Sequence, residues 1–207
     1  MATTNPGKVR ELRAMLSDLP VRLVGMDEVG LSAPAETGAT FAANATLKAR
    51  HAADASGFLV LADDSGLEVD GLGGAPGVHS ARYAGDGADD EANRRRLIRE
   101  LRDVPPAART GRFRCAIAIA QLAPPGAGAG EATVTVVEGT CEGLLLTEPR
   151  GDRGFGYDPL FLLPERGLTM AELPDEEKNV VSHRARALAL ALPGLRRLLV
   201  HAGGDDA

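Results

Sequence analysis

Lysine is nearly absent from this chain. It has three, Lys8, Lys48 and Lys178, against twenty arginines. Tryptophan is missing and aromatic residues make up only 3%. That excludes a broad stacking platform for single-stranded nucleic acid. Excess positive charge is also missing. The net charge is −6, the wrong sign for a general nucleic-acid binder. The two cysteines, Cys115 and Cys141, are far apart and form no CxxC motif. They read as small buried hydrophobes in a reducing compartment. No apolar run approaches 18 residues, and no apolar targeting segment opens the chain. The expectation is a cytoplasmic protein with neither a membrane nor a nucleic-acid polymer as partner.

What is present is ordinary globular material: 207 residues, 44% hydrophobic and 25% charged. That length suits one domain, here expected to form two lobes. Asn5 reads as a helix N-cap and Pro6 as the first helical residue, with the helix reaching about Ser17. Val21–Val24 reads as a short strand. A second helix starts at Thr37 or Gly38 and runs to about Ala55, with Phe41, Ala45, Ala49 and Ala52 inward. Asn44 and Lys48 share one face of it. Phe58–Ala62 reads as a buried strand ending in Asp63 and Asp64, with Leu67–Val69 extended. Asp89 begins a helix to about Arg102. Strands are expected over Arg112–Leu122, Thr133–Cys141, Leu144–Thr147 and Leu160–Leu163. The PPGAGAG segment reads as a dispensable connector. Thr169–Leu173 reads as a short helix and Asp175–Leu192 as the last long one, before Pro193-Gly194, a short helical end and a frayed tail. The class is α/β with a mixed sheet.

Each lysine sits in a dense polar motif. A lysine is a compact point charge, whereas arginine is a planar fork. TTNPGK is not a P-loop, because Val9 stands where Ser or Thr is required. Even so, a helix start offers free N–H groups and a positive dipole end to a phosphate. Asp63-Asp64 is the sharpest local signal. Adjacent carboxylates repel unless a cation or a proton lies between them. Magnesium favours one or two carboxylates plus substrate phosphates, and Glu36 is a further acid. In GFGYDP, glycines on both sides of Phe155 permit an unusual backbone path. Its ring then either stacks on a base, or Phe155 or Tyr157 plugs the core. In EEKNVVSHR, Lys178, His183 and Arg184 converge only if the helix is interrupted. Arg184 is then placed to donate to a carbonyl, the group that separates a 6-keto purine from adenine.

Together TTNPGKVREL, ETGATFAANATLKA, LADDSGLEVDGLGGAPGVHSARYAG, GFGYDPLF and EEKNVVSHRARAL resemble the inosine triphosphatase family, the XTP/dITP pyrophosphatases. The resemblance runs from about residue 3 to 192. It implies a long mixed sheet with helices forming two lobes around a central active-site cleft, in a homodimer. It implies magnesium-dependent hydrolysis of ITP, dITP or XTP to the nucleoside monophosphate and pyrophosphate. Carried over by motif, Thr3, Thr4, Asn5, Pro6, Gly7 and Lys8 form the first substrate loop. Glu36 and Asp64 bind magnesium. Asp64 is also the proton acceptor, with Asp63 beside it. Lys48 contacts the triphosphate and Ser65 the substrate. Phe155, Gly156, Tyr157 and Asp158 form the base loop, completed by Lys178, His183 and Arg184. A pyrophosphatase for modified or pyrimidine nucleotides and a non-catalytic nucleotide sensor remain open alternatives.

One departure stands out. Only Met1 and Ala2 precede Thr3, where the family has a short apolar strand. The expectation is a substrate loop less well anchored to the sheet. A version extended by several apolar residues should then melt higher and turn over faster. Equal melting and turnover would dispose of it. Lysine-to-arginine changes test the composition signal. At Lys8 and Lys48 they should lower turnover and phosphate affinity despite equal charge. At Lys178 the change should mainly alter base selectivity. Three parent-like variants would reduce the pattern to composition bias.

Overall fold

The computed structural model describes residues 1–122 and 132–202. Helix α1 spans Pro6–Met15. The Asn5 side chain accepts from the Lys8 amide and Pro6 opens the helix. This is the expected start, because the cap satisfies a free N–H and proline has none to lose. Helix α2 spans Phe41–Ser56, later than expected. Thr40, rather than Thr37 or Gly38, supplies the cap through its hydroxyl to the Ala43 amide. Phe41, Ala45, Ala49 and Ala52 are buried, as their spacing predicts.

Strand β1 is continuous over Val60–Val69, so the two expected extended segments join through Asp63–Gly66. Phe58, expected to open the buried strand, lies outside it and is 56% exposed. Residues 21–24 do not form a strand. They are tied instead to the chain start, where the Met1 ammonium donates to the Val24 carbonyl at 2.6 Å. The Ala2 amide donates to the Leu61 carbonyl at 2.8 Å. The TTNPGK segment therefore has a backbone tether to β1 just before it.

Helix α3 spans Asp90–Leu101, with Asp89 as its cap. Strand β2 spans Thr110–Gln121 and β3 spans Thr133–Leu145. β3 absorbs two strands expected to be separate. Within it, a Cβ on Gly143 would lie 2.5 Å from the Phe161 ring and 2.6 Å from the Leu162 carbonyl. Glycine there permits close approach of the next strand. The PPGAGAG connector and the GGDDA tail lie outside the described residues. Strand β4 is Phe161–Leu163 and β5 is Leu168–Thr169. The helix expected over Thr169–Leu173 is thus a strand end and a turn. Thr169 pairs with Leu162, and its hydroxyl donates to the Arg150 carbonyl. The sheet order is β1-β2-β3-β4-β5, with β3–β4 and β4–β5 antiparallel.

The expected final helix is two. Helix α4 spans Asp175–Val181 and α5 spans His183–Ala202, separated by an extended Ser182. Pro193, expected as a terminator, lies inside α5. The chain divides into two compact units. The first comprises Met1–Asp64, Ala116–Gly139 and Ala185–Ala207, the second Ser65–Cys115 and Thr140–Arg184. The second is built on one cluster that includes Leu67, Leu97, Phe113, Tyr157, Phe161 and Met170. No helix among the described residues is long and apolar enough to cross a membrane.

Candidate active site

In the first unit, β1 carries Asp63 and Asp64 into the interior, where they are 0% and 6% exposed. Successive strand residues face opposite sides. The two carboxylates accordingly meet different lysines. Asp63 pairs with Lys8, one turn into α1. Asp64 accepts from Lys48 Nζ at 2.7 Å, and the same ammonium reaches Glu36 at 2.9 Å. The repulsion expected between the adjacent acids is relieved by these two cations. Burial pushes Lys48 down, but Asp64 and Glu36 together outweigh it and raise its pKa. At Asp64 the balance reverses. Burial raises its pKa despite Lys48 and Lys8.

Around this cluster the other residues of the first motif act on the backbone. Thr3 Oγ1 accepts from the Asn5 amide, Asn5 caps α1, and Thr4 is exposed at its start. Asn44, buried one turn before Lys48, accepts from the Gly38 amide at 2.7 Å. That bond ties the loop carrying Glu36 to α2. Glu36 and Asp64 turn oxygens toward one point, the Lys48 ammonium. Among the described residues no cluster of three or more His, Cys, Asp or Glu side chains gathers to hold a metal ion. Two converging carboxylates nevertheless suit a hard divalent cation that takes its other ligands from phosphate and water.

In the second unit, Gly154 and Gly156 have φ of 73° and 60°. These left-handed positions bend the chain around Phe155. Asp158 is 3% exposed and accepts from the Phe155 amide and from Lys178 Nζ. Lys178 Nζ lies 4.9 Å from the centre of the Phe155 ring, and the Arg184 guanidinium lies 5.7 Å from it. Arg184 donates to Ser65 Oγ at 2.9 Å. His183 stacks on Phe113, with ring centres 4.8 Å apart. One aromatic ring thus meets two cations, held by a buried carboxylate and a serine.

The sequence model of one protein family, described as the Ham1 family, matches residues 1–193. The chain belongs to the Ham1 family. It is 48% identical over 196 residues to the dITP/XTP pyrophosphatase of Pectobacterium atrosepticum, covering 95% of this chain and 96% of that one. The Shigella flexneri dITP/XTP pyrophosphatase is 47% identical with the same coverage. Among solved structures, a HAM1 protein from Coxiella burnetii has a TM-score of 0.82 and 38% identity, with 94% of this chain and 96% of that one covered. A nucleoside-triphosphatase, dITP/XTP pyrophosphatase, from Mycobacterium abscessus has a TM-score of 0.70 and 42% identity, with coverages of 93% and 96%.

Within this Ham1 chain, the sequence-predicted residues therefore gather as two groups. Lys8, Glu36, Lys48, Asp63 and Asp64 form one, and Ser65, Phe155, Asp158, Lys178 and Arg184 the other. The side chain of Tyr157 does not join the second group. It is 4% exposed within the core cluster, and its hydroxyl donates to the Ser80 carbonyl at 2.9 Å. Of the two rings, Tyr157 is the plug. Three residues carried no functional signal in the sequence. Asn44 was visible only as a neighbour of Lys48. Asp90 and Arg94 of α3 fell only within the helix expected from Asp89 to about Arg102, yet both bond to Gly156. The first unit also has an apolar cavity of about 290 Å³, lined by residues such as Leu16, Val24, Met26 and Leu61. None of the acids or lysines lines it, so the chemistry lies elsewhere.

The placement of Tyr157 is testable. Tyr157→Phe should lower stability by about 1 kcal/mol, the usual worth of a buried hydrogen bond, as measured by urea unfolding. The rank order of nucleotide substrates should stay the same. A changed rank order would return the ring to the base site.

Proposed function

We propose that this chain hydrolyses deaminated purine nucleoside triphosphates, ITP, dITP and XTP, to the nucleoside monophosphate and pyrophosphate. That activity would remove them from the nucleotide pool, and the relatives named dITP/XTP pyrophosphatase support it. The single observation that carries the reading is the pair of consecutive buried aspartates, each bound to its own lysine. Binding alone does not require carboxylates beside phosphates, whereas hydrolysis requires a base and an ion. Magnesium is the ion we assign, held by Glu36 and Asp64. When bound, it shields charge on the phosphates.

The chain's own residues do the rest. The amides at the start of α1 and the Lys8 and Lys48 ammonium groups neutralise the triphosphate and the departing pyrophosphate. Asp64, with Asp63 beside it, orients water and takes its proton. The water oxygen bonds to the α-phosphorus as the bond from that phosphorus to the bridging oxygen breaks. Pyrophosphate leaves with the electron pair. Phe155 stacks on the base, while Lys178, His183 and Arg184 meet its keto edge. The cytoplasm suits two buried thiols. The assembly we assign is a homodimer.

Asp64→Asn separates chemistry from binding. It should fold, still bind nucleotide, and lose at least about a hundredfold in turnover, the low end of what a general base contributes. Near-parent turnover would overturn the assignment. Pyrophosphate release from ITP, XTP, dUTP and ATP, with and without magnesium, tests the reaction itself. Release from dUTP in preference to ITP and XTP would favour a pyrimidine enzyme. No release from any would favour a sensor.

A further inference from the structure

We propose that Asp90 and Arg94 are positioning residues that set the base-binding ring of Phe155 through a two-sided hold on Gly156. The proposal rests on the reading of residues 154–158 as the base loop. The Gly156 amide donates to Asp90 Oδ2 at 2.6 Å. The Gly156 carbonyl accepts from Arg94 Nη1 at 2.7 Å. Both bonds involve a charged partner, which makes them stronger than neutral ones. One glycine thus has both its backbone polar groups taken by side chains of a distant helix.

Surface acids and arginines four apart on a helix usually pair with one another. Glu91 and Arg95, one position along, do so. Asp90 and Arg94 have the same spacing but take the two sides of Gly156 instead. Asp90 is exposed and Arg94 half-buried, so neither serves as core filling. The helix that carries them is well fixed. Leu97 and Leu101 are fully buried, and Asn93 bonds both the Ala84 amide and the Ala81 carbonyl. A rigid helix therefore holds a glycine-bent loop that has no regular structure of its own.

The hold acts directly on Phe155. The Gly156 amide belongs to the peptide plane that Phe155 itself begins. On the other side, Asp158 holds the Phe155 amide. The backbone of Phe155 is pinned before and after its Cα, and that fixes where the ring stands against Lys178 and Arg184. Asp90 and Arg94 belong to the second unit, whereas Glu36, Asp63 and Asp64 belong to the first. Their loss should weaken base recognition and leave the phosphate chemistry intact.

The experiment compares Asp90→Ala, Asp90→Asn, Arg94→Ala and the double alanine variant in the full chain. Steady-state pyrophosphate release is measured with ITP, XTP and ATP, and amide hydrogen exchange is followed over residues 154–158 without nucleotide. Each alanine variant should raise KM for ITP and XTP about tenfold, keep kcat within about twofold, and narrow the preference over ATP. Exchange over the loop should accelerate. Asp90→Asn, which still offers an oxygen to the Gly156 amide, should recover most of the KM. The double variant should cost less than the product of the singles, because both act on one glycine. Unchanged exchange in the alanine variants overturns the hold, whatever the substrate. Faster exchange with unchanged KM and preference overturns its role in recognition. A kcat that falls at constant KM marks a merely structural role and overturns it too. Failure of the base-loop reading itself shows separately, as a parent enzyme that releases no pyrophosphate from any purine triphosphate.

Discussion

Two consecutive carboxylates in the interior are the constraint around which the first unit is arranged. Desolvating such an ion costs several kcal/mol, and a lone buried charge is not tolerated. Asp63 and Asp64 therefore require cations delivered to the right places. Lys8 and Lys48 are delivered by two helices, and caps decide the rotation of each. Asn5 makes Lys8 the third residue of α1, and Thr40 makes Lys48 the eighth of α2. A one-residue slip of either cap would turn its lysine by about 100° around the helix. At Asp64 burial still raises the pKa, against the pull of Lys48 and Lys8.

The second unit solves a different problem with the same economy. Lys178 and Arg184 are six residues apart, and in an unbroken helix they would point about 120° away from each other. The extended Ser182 interrupts the helix, and both cations approach the Phe155 ring. Asp158 then fixes two things at once, the Phe155 amide and the Lys178 ammonium. Tyr157, on the same loop, anchors from below in the core. The loop's conformation is thus set by its neighbours: Asp158 within it, α3 beside it and the core under it.

Much of this was legible in the sequence because the signals are local. The N-cap at Asn5, the proline at Pro6 and the inward stripe of α2 each need only adjacent residues to be read. Five motifs in a set order pointed to the family over nearly the whole chain. Errors arose where a partner in another segment decides. Val21–Val24 has strand composition but bonds to Met1 instead. Thr169 has a helix-cap signature but pairs with β4. The two strands read separately from residue 133 onward are one, and Phe161 comes close to it at Gly143.

The sequence alone determined the α/β class, the starts of α1, α3 and α4, the candidate acids, lysines and aromatic loop, and the family. All of these rest on residue type and short spacing. Only the tertiary structure decided which lysine serves which acid, that Tyr157 is core while Phe155 faces cations, and that Asp90 and Arg94 hold Gly156. Those outcomes depend on bonds between residues tens of positions apart. Short-range pattern carries no record of such bonds, since a surface acid on a helix looks the same whether it faces water or a distant amide.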